Sequence, residues 1–222
     1  MGIPEKLDMV VVFDLDDTLY AEYDYQTSGI NAVGKAIKDI YGQHIIQQIL
    51  DWRSEGEKDL WGRACRECHL PLLVKDSLLW IYRLHEPEIT LDQATIDAIS
   101  EVKSMVKEIV ILTDGRSVTQ RRKLKALGLG DIRAYISEEH QSEKPCPAKF
   151  RAIMHDFPVS KYLYVADNPE KDFIAPNALG WQTIGLRGGV RSIHRQNYDG
   201  LPLGHLPAKW ISSMKELKGE IE

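Results

Sequence analysis

Cysteine, long apolar runs and positive charge are all scarce in this sequence, and each scarcity excludes a class of protein. There are three cysteines, Cys65, Cys68 and Cys146, an odd and small number that fits a reducing compartment better than a secreted disulfide framework. No window approaches the ~20 apolar residues of a membrane span; the best runs are residues 9–13, 78–82 and 109–112. The opening Met-Gly-Ile-Pro-Glu-Lys-Leu-Asp has no apolar signal core, so we expect a cytoplasmic protein with no membrane partner. Basic residues number 28 against 33 acidic ones, a net charge of -5, which leaves no electrostatic footprint for nucleic acid. Internal repeats and low-complexity tracts are also missing, so a solenoid or a disordered tail is not expected. What remains is a 222-residue chain that is 43% hydrophobic. A chain of that size hides roughly 70% of its unfolded surface on folding, and needs neither metal staples nor disulfides to do so.

Five short apolar runs rich in β-branched residues stop at polar or small residues: 9–13, 109–112, 134–136, 162–166 and 183–186. Continuous rather than alternating apolarity predicts strands buried on both faces, as in a parallel sheet. Helix-like stretches lie between most of them. Residues 117–127 carry Val118, Leu124 and Leu127 ahead of Gly128, and residues 147–157 open with Pro147 and space Phe150, Ile153, Met154 and Phe157 helically. The pattern is βαβ, a doubly wound, Rossmann-like α/β core with a parallel sheet.

One connection is too long. The first and second strands are separated by the 95 residues from Asp14 to Glu108, whereas a complete βαβ unit takes only about 30. Residues 92–107 read as the returning crossover helix, with Ile96, Ile99, Val102 and Val106 on one side. The surplus, residues 21–91, contains helix-like pieces at 30–41 and 74–84 and no convincing strand. It is expected to form a small inserted helical domain, leaving residues 1–20 and 92–222 as the core.

The predicted strands end in chemistry. The first runs into Asp14-Leu15-Asp16-Asp17-Thr18, and in near-extended chain Asp14, Asp16 and Thr18 project to one side. The second delivers Thr113, Asp114 and Gly115 ahead of a helix, where a hydroxyl and backbone N–H groups make an anion cradle. Lys144-Pro145 precedes the next helix, and the fourth strand ends in Asp167, with Asp172 five residues on. In open α/β sheets the carboxyl edge of the strands is where ligands bind.

Taken in order, Asp14-x-Asp16-x-Thr18, a strand ending in Thr113, then Lys144, then Asp167 with Asp172 resemble the four motifs of the haloacid dehalogenase superfamily of aspartate-nucleophile hydrolases. The resemblance implies a Mg²⁺ ion held by the Asp14 carboxylate, the Asp16 backbone carbonyl and the Asp167 carboxylate, with Asp172 supporting that shell. It implies Asp14 as nucleophile, Asp16 as general acid and base, and Thr113, Lys144 and the N–H groups of Asp114 and Gly115 as holders of the phosphoryl oxygens. Two positions depart from the family's habit: Asp114 stands where asparagine or serine is frequent, and Ala166 where glycine often precedes the acid. The motif assigns no role to the Asp114 side chain. Asp16 favours a phosphatase over a dehalogenase, because a leaving halide needs no proton. The inserted segment matches the helical cap of the family's capped members, with Trp52, Arg53, Trp61, Arg63 and Arg83 as candidate specificity residues. The expected substrate is a small phosphorylated metabolite, a sugar phosphate rather than a nucleotide. Two alternatives stay open: a sugar-phosphate mutase of the same superfamily, and a receiver-type signalling module in which the phosphorylated aspartate is itself the signal.

Other features receive plainer readings. Cys65-Arg66-Glu67-Cys68-His69 matches a haem-attachment pattern, but it falls within the helical segment of a chain expected in the cytoplasm, and zinc would need a second ligand pair. Arg121, Arg122, Lys123 and Lys125 read as the exposed face of a helix. Arg187, Gly188, Gly189 and Arg191 form a basic, glycine-containing segment that could approach an anionic site.

Overall fold

The computed structural model describes residues 5–188, 196 and 200–221. Strand β1 (Leu7–Phe13) is followed by helices α1 (Glu22–Tyr41), α2 (Ile46–Ser54), α3 (Leu60–Glu67) and α4 (Val74–Leu84). Then come α5 (Gln93–Met105), β2 (Val106–Thr113), α6 (Ser117–Ala126), β3 (Arg133–Ile136), α7 (Ser137–His140) and α8 (Ala148–Asp156). The chain continues through β4 (Lys161–Ala166), α9 (Ile174–Ala178), β5 (Gln182–Leu186), β6 (Lys209–Ile211) and α10 (Lys218–Ile221). It divides into two compact units, one of residues 1–22 with 90–222 and one of residues 23–89.

The first unit is a six-stranded sheet in the order β3-β2-β1-β4-β5-β6, and every adjacent pair is parallel. This is a doubly wound, Rossmann-like α/β fold. Val10, Val11, Val12 and Phe13 of the central strand are wholly buried, which is why the run is apolar at every position rather than at alternate ones. Phe13 pairs with Ile111 on one side and Val165 on the other. The residues that follow these strands therefore leave the sheet at one edge, and the strand order reverses between β1 and β4, the position that opens a crevice.

Two expectations about this unit need correcting. The helix read over residues 92–107 ends at Met105, because Val106 begins β2 and pairs with Leu7. Ile96 is exposed, and the buried face is Thr95, Ala98, Ile99 and Val102. Val106 stands four residues after Val102 and so imitates helical spacing, but the sheet takes it. Strand β6 was not anticipated, since three residues carry no periodicity to read.

The second unit is helical, with no strand among its described residues. Ile30, Val33, Ile37, Ile49, Trp52, Trp61 and Cys65 form its core. Asp59 caps α3 by accepting from the Gly62 amide at 3.2 Å. No helix among the described residues is long and apolar enough to cross a membrane.

Candidate active site

The edge at the carboxyl ends of β1, β2 and β4 collects most of the expected residues. The Asp14 amide donates to the Val165 carbonyl at 2.9 Å, which locks the start of the acidic segment to the end of β4. The segment then departs from the extended path read from its sequence. Asp17 adopts a positive φ of 57°, and the chain turns so that Leu19 N bonds Leu15 O at 3.0 Å. Convergence therefore comes from a turn. Thr18 Oγ1 donates to Asp167 Oδ1 at 3.3 Å, and Asp17 Oδ1 accepts the Glu22 amide at 2.9 Å where α1 begins.

Asp14, Asp167 and Asp172 each offer a carboxylate oxygen, all within 4.8 Å of one another and all buried. Lys144 Nζ lies 2.7 Å from Asp14 Oδ1 and 2.7 Å from Asp172 Oδ1, and donates to the Tyr164 hydroxyl at 3.2 Å. One ammonium cannot neutralise three carboxylates. Burial, reinforced by Asp172, pushes the Asp14 carboxyl up to about 7 against the pull of Lys144. Burial, with Asp172 and Asp14 beside it, pushes Asp167 up to about 8. Burial would discharge Lys144, but the Asp14 and Asp172 carboxylates outweigh it and hold the ammonium well above its ordinary value. Asp167 Oδ2 is buried with no hydrogen-bond partner, an arrangement that costs free energy unless something positive meets it. Hard oxygen donors with surplus negative charge fit a Mg²⁺ ion.

The Asp16 side chain points elsewhere. It accepts from Lys123 Nζ at 2.7 Å, from Gln120 Nε2 at 2.7 Å and from the Tyr20 hydroxyl at 2.5 Å. Burial works to raise its pKa, but Lys123, Tyr20 and Gln120 prevail and hold it below the usual carboxylate range. Lys123 is thus not on an exposed helix face as its sequence context implied; it is buried, while Arg121 and Lys125 are exposed.

Thr113 ends β2, and its Oγ1 accepts from Gln120 Nε2 at 2.7 Å. The anion cradle expected at the start of α6 is different from the one read in sequence. The Gly115 amide donates to Ser137 Oγ at 2.9 Å, and the Ser117 amide to Glu138 Oε2 at 2.7 Å, so side chains of α7 occupy these donors. The Asp114 carboxylate accepts from the wholly buried Lys149 at 2.5 Å and from the Lys144 amide at 3.2 Å, with Lys171 3.7 Å away. Burial opposes ionisation of Asp114, but Lys144, Lys149 and Lys171 outweigh it and lower its pKa. Asp114 is a counter-charge for buried lysines.

A cavity of about 230 Å³ opens among Asp14, Asp16, Thr113, Lys144 and Asp167, with Glu22 and Lys171 also on its wall. Burial and the neighbouring Asp16 carboxylate push Glu22 up to about 7. Sequence reading missed Gln120, Lys149, Tyr164, Lys171 and Glu22. Gln120 and Lys123 did carry a signal: with Leu124 and Leu127 they share the i, i+3, i+4, i+7 spacing of one helical face.

The other candidates have local partners. Trp52 and Trp61 are buried in the helical unit. Arg53 stacks over Tyr23 at 4.0 Å, Arg63 over Trp52 at 4.4 Å and Arg83 over Trp80 at 5.4 Å. Arg53 and Trp61 line a cavity of about 440 Å³ within that unit. Cys65 and Cys68 are free and buried in its core, and Cys146 is free and exposed. Arg187 stacks over Trp210 at 5.4 Å; Gly189 and Arg191 lie outside the described residues.

Residues 9–180 match the haloacid dehalogenase-like hydrolase profile. A glyceraldehyde 3-phosphate phosphatase of Methanocaldococcus jannaschii is 23% identical, over 94% of this chain and 97% of its own. A ribulose-1,5-bisphosphate 5-phosphatase of Halopiger xanaduensis is 25% identical, over 78% and 82%. Among solved structures, the magnesium-bound HAD-hydrolase YfnB of Bacillus subtilis has a TM-score of 0.66 at 18% identity, covering 98% of this chain and 100% of its own. The 2-haloacid dehalogenase of Pseudomonas syringae pv. tomato scores 0.62 at 16% identity, covering 96% and 97%. At such identities the structural likeness speaks for the fold.

Proposed function

The chain belongs to the haloacid dehalogenase-like hydrolases, and from that membership we propose that it is a Mg²⁺-dependent phosphatase of small phosphorylated metabolites, working through an aspartyl phosphate. The observation that carries the reading is the buried trio of Asp14, Asp167 and Asp172 gathered around Lys144 beside a cavity. The Asp14 and Asp167 carboxylates, the Asp16 carbonyl and the supporting Asp172 would hold the ion. Mg²⁺ supplies the positive charge that lets an anionic nucleophile approach an anionic phosphoryl group.

The chain's own groups do the rest. Lys144 and the Thr113 hydroxyl hold the non-bridging phosphoryl oxygens. Asp14 forms a bond to phosphorus while the ester P–O bond breaks, its electron pair leaving with the alkoxide; Asp16 gives that oxygen a proton, and a free alcohol departs. Water then attacks the same phosphorus, Asp16 takes its proton, and the acyl P–O bond breaks. Asp14 returns as a carboxylate and inorganic phosphate is released. The presence of Asp16 at that position is what favours phosphate ester over halide.

The two named relatives act on glyceraldehyde 3-phosphate and ribulose bisphosphate, which supports a sugar phosphate over a nucleotide as substrate. The helical unit of residues 23–89 is read as the family's cap, contributing substrate contacts, with Arg53 and Trp61 as candidates.

A phosphate-release screen over sugar phosphates and nucleotides with Mg²⁺, run beside Asp14→Asn, tests this. Free phosphate from a sugar phosphate is expected, with a loss in the variant of more than about 10³-fold. Full activity in Asp14→Asn would remove the nucleophile, and chelator-resistant turnover would remove the metal. A rearranged sugar phosphate would make the protein a mutase, and a long-lived phosphoprotein a signalling module.

A further inference from the structure

The cavity beside Lys144 is walled by the carboxylates of Asp14, Asp16, Asp114, Asp167 and Glu22, all from the α/β unit. Four of them have partners. Asp14 meets Lys144, Asp16 is held by Lys123, Gln120 and Tyr20, Asp114 by Lys149, and Asp167 accepts from Thr18. Glu22 is different: among the described residues no hydrogen bond or ion pair reaches its carboxylate. Lys171, the second lysine on the wall, pairs with Asp114 at 3.7 Å. The place of Glu22 is fixed locally, because it opens α1 and its amide donates to Asp17 Oδ1 at 2.9 Å. An acid there suits the helix dipole, but an exposed one would serve equally, and Glu22 is half-buried with the Asp16 charge opposing its own. Such a carboxylate is costly unless a hydrogen-bond donor meets it, and the cavity is the side from which one can arrive. The space is about 230 Å³, below the ~300–1,000 Å³ of pockets for drug-sized ligands. A substrate whose phosphoryl group meets Asp14 therefore has its next carbons in the same small space as Glu22.

We propose that Glu22 selects the alcohol half of the substrate: its carboxylate accepts a hydrogen bond from a hydroxyl near the phosphorylated carbon and repels a carboxylate in the same place. The inference deepens the phosphatase reading and rests on it. It narrows the substrate class to phosphorylated polyols and sugars, and sets phosphorylated hydroxy acids aside. A site built to hydrogen-bond a hydroxyl rejects the analogue that lacks it, because the site's own polar group is then left unpaired. A like charge adds to that penalty. Glu22 makes and breaks no bond, so it is a specificity residue.

The test uses two compounds with the same three-carbon skeleton and the same phosphate ester. Glycerol 3-phosphate ends in a hydroxymethyl group, and 3-phosphoglycerate ends in a carboxylate. Their kcat/KM values with Mg²⁺ are compared at pH 8, where Glu22, pushed up to about 7 by burial and Asp16, is mostly ionised. A compound that turns over too slowly is measured as a competitive inhibitor of p-nitrophenyl phosphate hydrolysis. Because the result is a ratio, any difference in the fraction of folded protein cancels. The wild-type protein is expected to favour glycerol 3-phosphate by about tenfold or more. Glu22→Gln should lower that preference by about tenfold, chiefly through KM, by weakening the polyol and admitting the acid. Glu22→Ala should move the ratio the same way and carries the test if the glutamine variant does not fold. A wild-type preference for 3-phosphoglycerate, or a ratio that neither variant lowers, would overturn the role of Glu22 while phosphate release leaves the phosphatase reading standing. Phosphate release from no substrate of the screen would remove that reading, and the role of Glu22 with it.

Discussion

A carboxyl group buried beside other carboxylates behaves as a base near neutrality, and Asp14 and Asp167 are in that position, at about 7 and about 8. In an unfolded chain aspartate titrates near 3.9, so between about pH 4 and pH 8 the folded, ion-free protein holds more protons than the unfolded one. Their contribution to stability is therefore most favourable at the acid end and falls as pH rises toward 8. A divalent cation needs both groups ionised, so its binding expels protons and tightens from about pH 6 to about pH 8, then levels off. Titration calorimetry with Mg²⁺ in buffers of different ionisation heat would read this directly, as proton release that shrinks above pH 8. An affinity that does not change over that range would remove the two carboxylates from the ion's coordination. The acids and the hydroxyl of this site were legible because they follow buried strands, and strand ends are visible as the point where an apolar run meets an acid or hydroxyl; Lys144, in the loop between α7 and α8, has no such marker. Asp114 was legible as a departure but not in its role, since its counter-ion Lys149 lies 35 residues away on a helix where a lysine ordinarily reads as solvated.

Periodicity shows where an element is, and says less about what its polar positions do. The apolar spacing of α6 locates the helix, yet a run of basic residues reads as exposed, and helical phase alone separates Arg121 and Lys125, which are exposed, from the buried Lys123. Its place on the face of Leu124 and Leu127 was the better guide. Short edge elements show the opposite limit: β6 has only three residues, and what establishes it is packing against β5. Gly185 pairs with Trp210, and a Cβ on Gly185 would lie 2.4 Å from the Trp210 ring and 2.7 Å from Pro207. Both contacts are with rigid groups, so Gly185→Ala should force β6 away and destabilise the α/β unit by about 1–3 kcal/mol. Since β6 is at the far edge from β1 and β2, turnover per folded molecule should hardly change. Urea unfolding followed with an activity assay checks both halves, and an unchanged midpoint would show that the β5–β6 contact yields without cost.

At the scale of the whole molecule, the 95-residue gap after β1 suggests an inserted unit over residues 21–91, and the structure divides into two compact units at Glu22/Tyr23 and Ile89/Thr90. Each has its own buried core, one around Val10, Val12, Tyr164 and Phe173 and one around Ile37, Ile49 and Trp61. Separate cores imply separable unfolding. The acids expected to hold the ion, Asp14, Asp16, Asp167 and Asp172, all belong to the α/β unit, so Mg²⁺ should stabilise that unit, by about 2.7 kcal/mol at a hundred times its Kd. Scanning calorimetry should then show two transitions, of which Mg²⁺ raises one. Ile49→Ala, which empties a fully buried position of the helical core at a cost of about 2–5 kcal/mol, should lower the other. A single transition that both changes move together would mean that the connections at Glu22 and Thr90 transmit stability as well as chain direction, and that the inserted helices fold only as part of the hydrolase core.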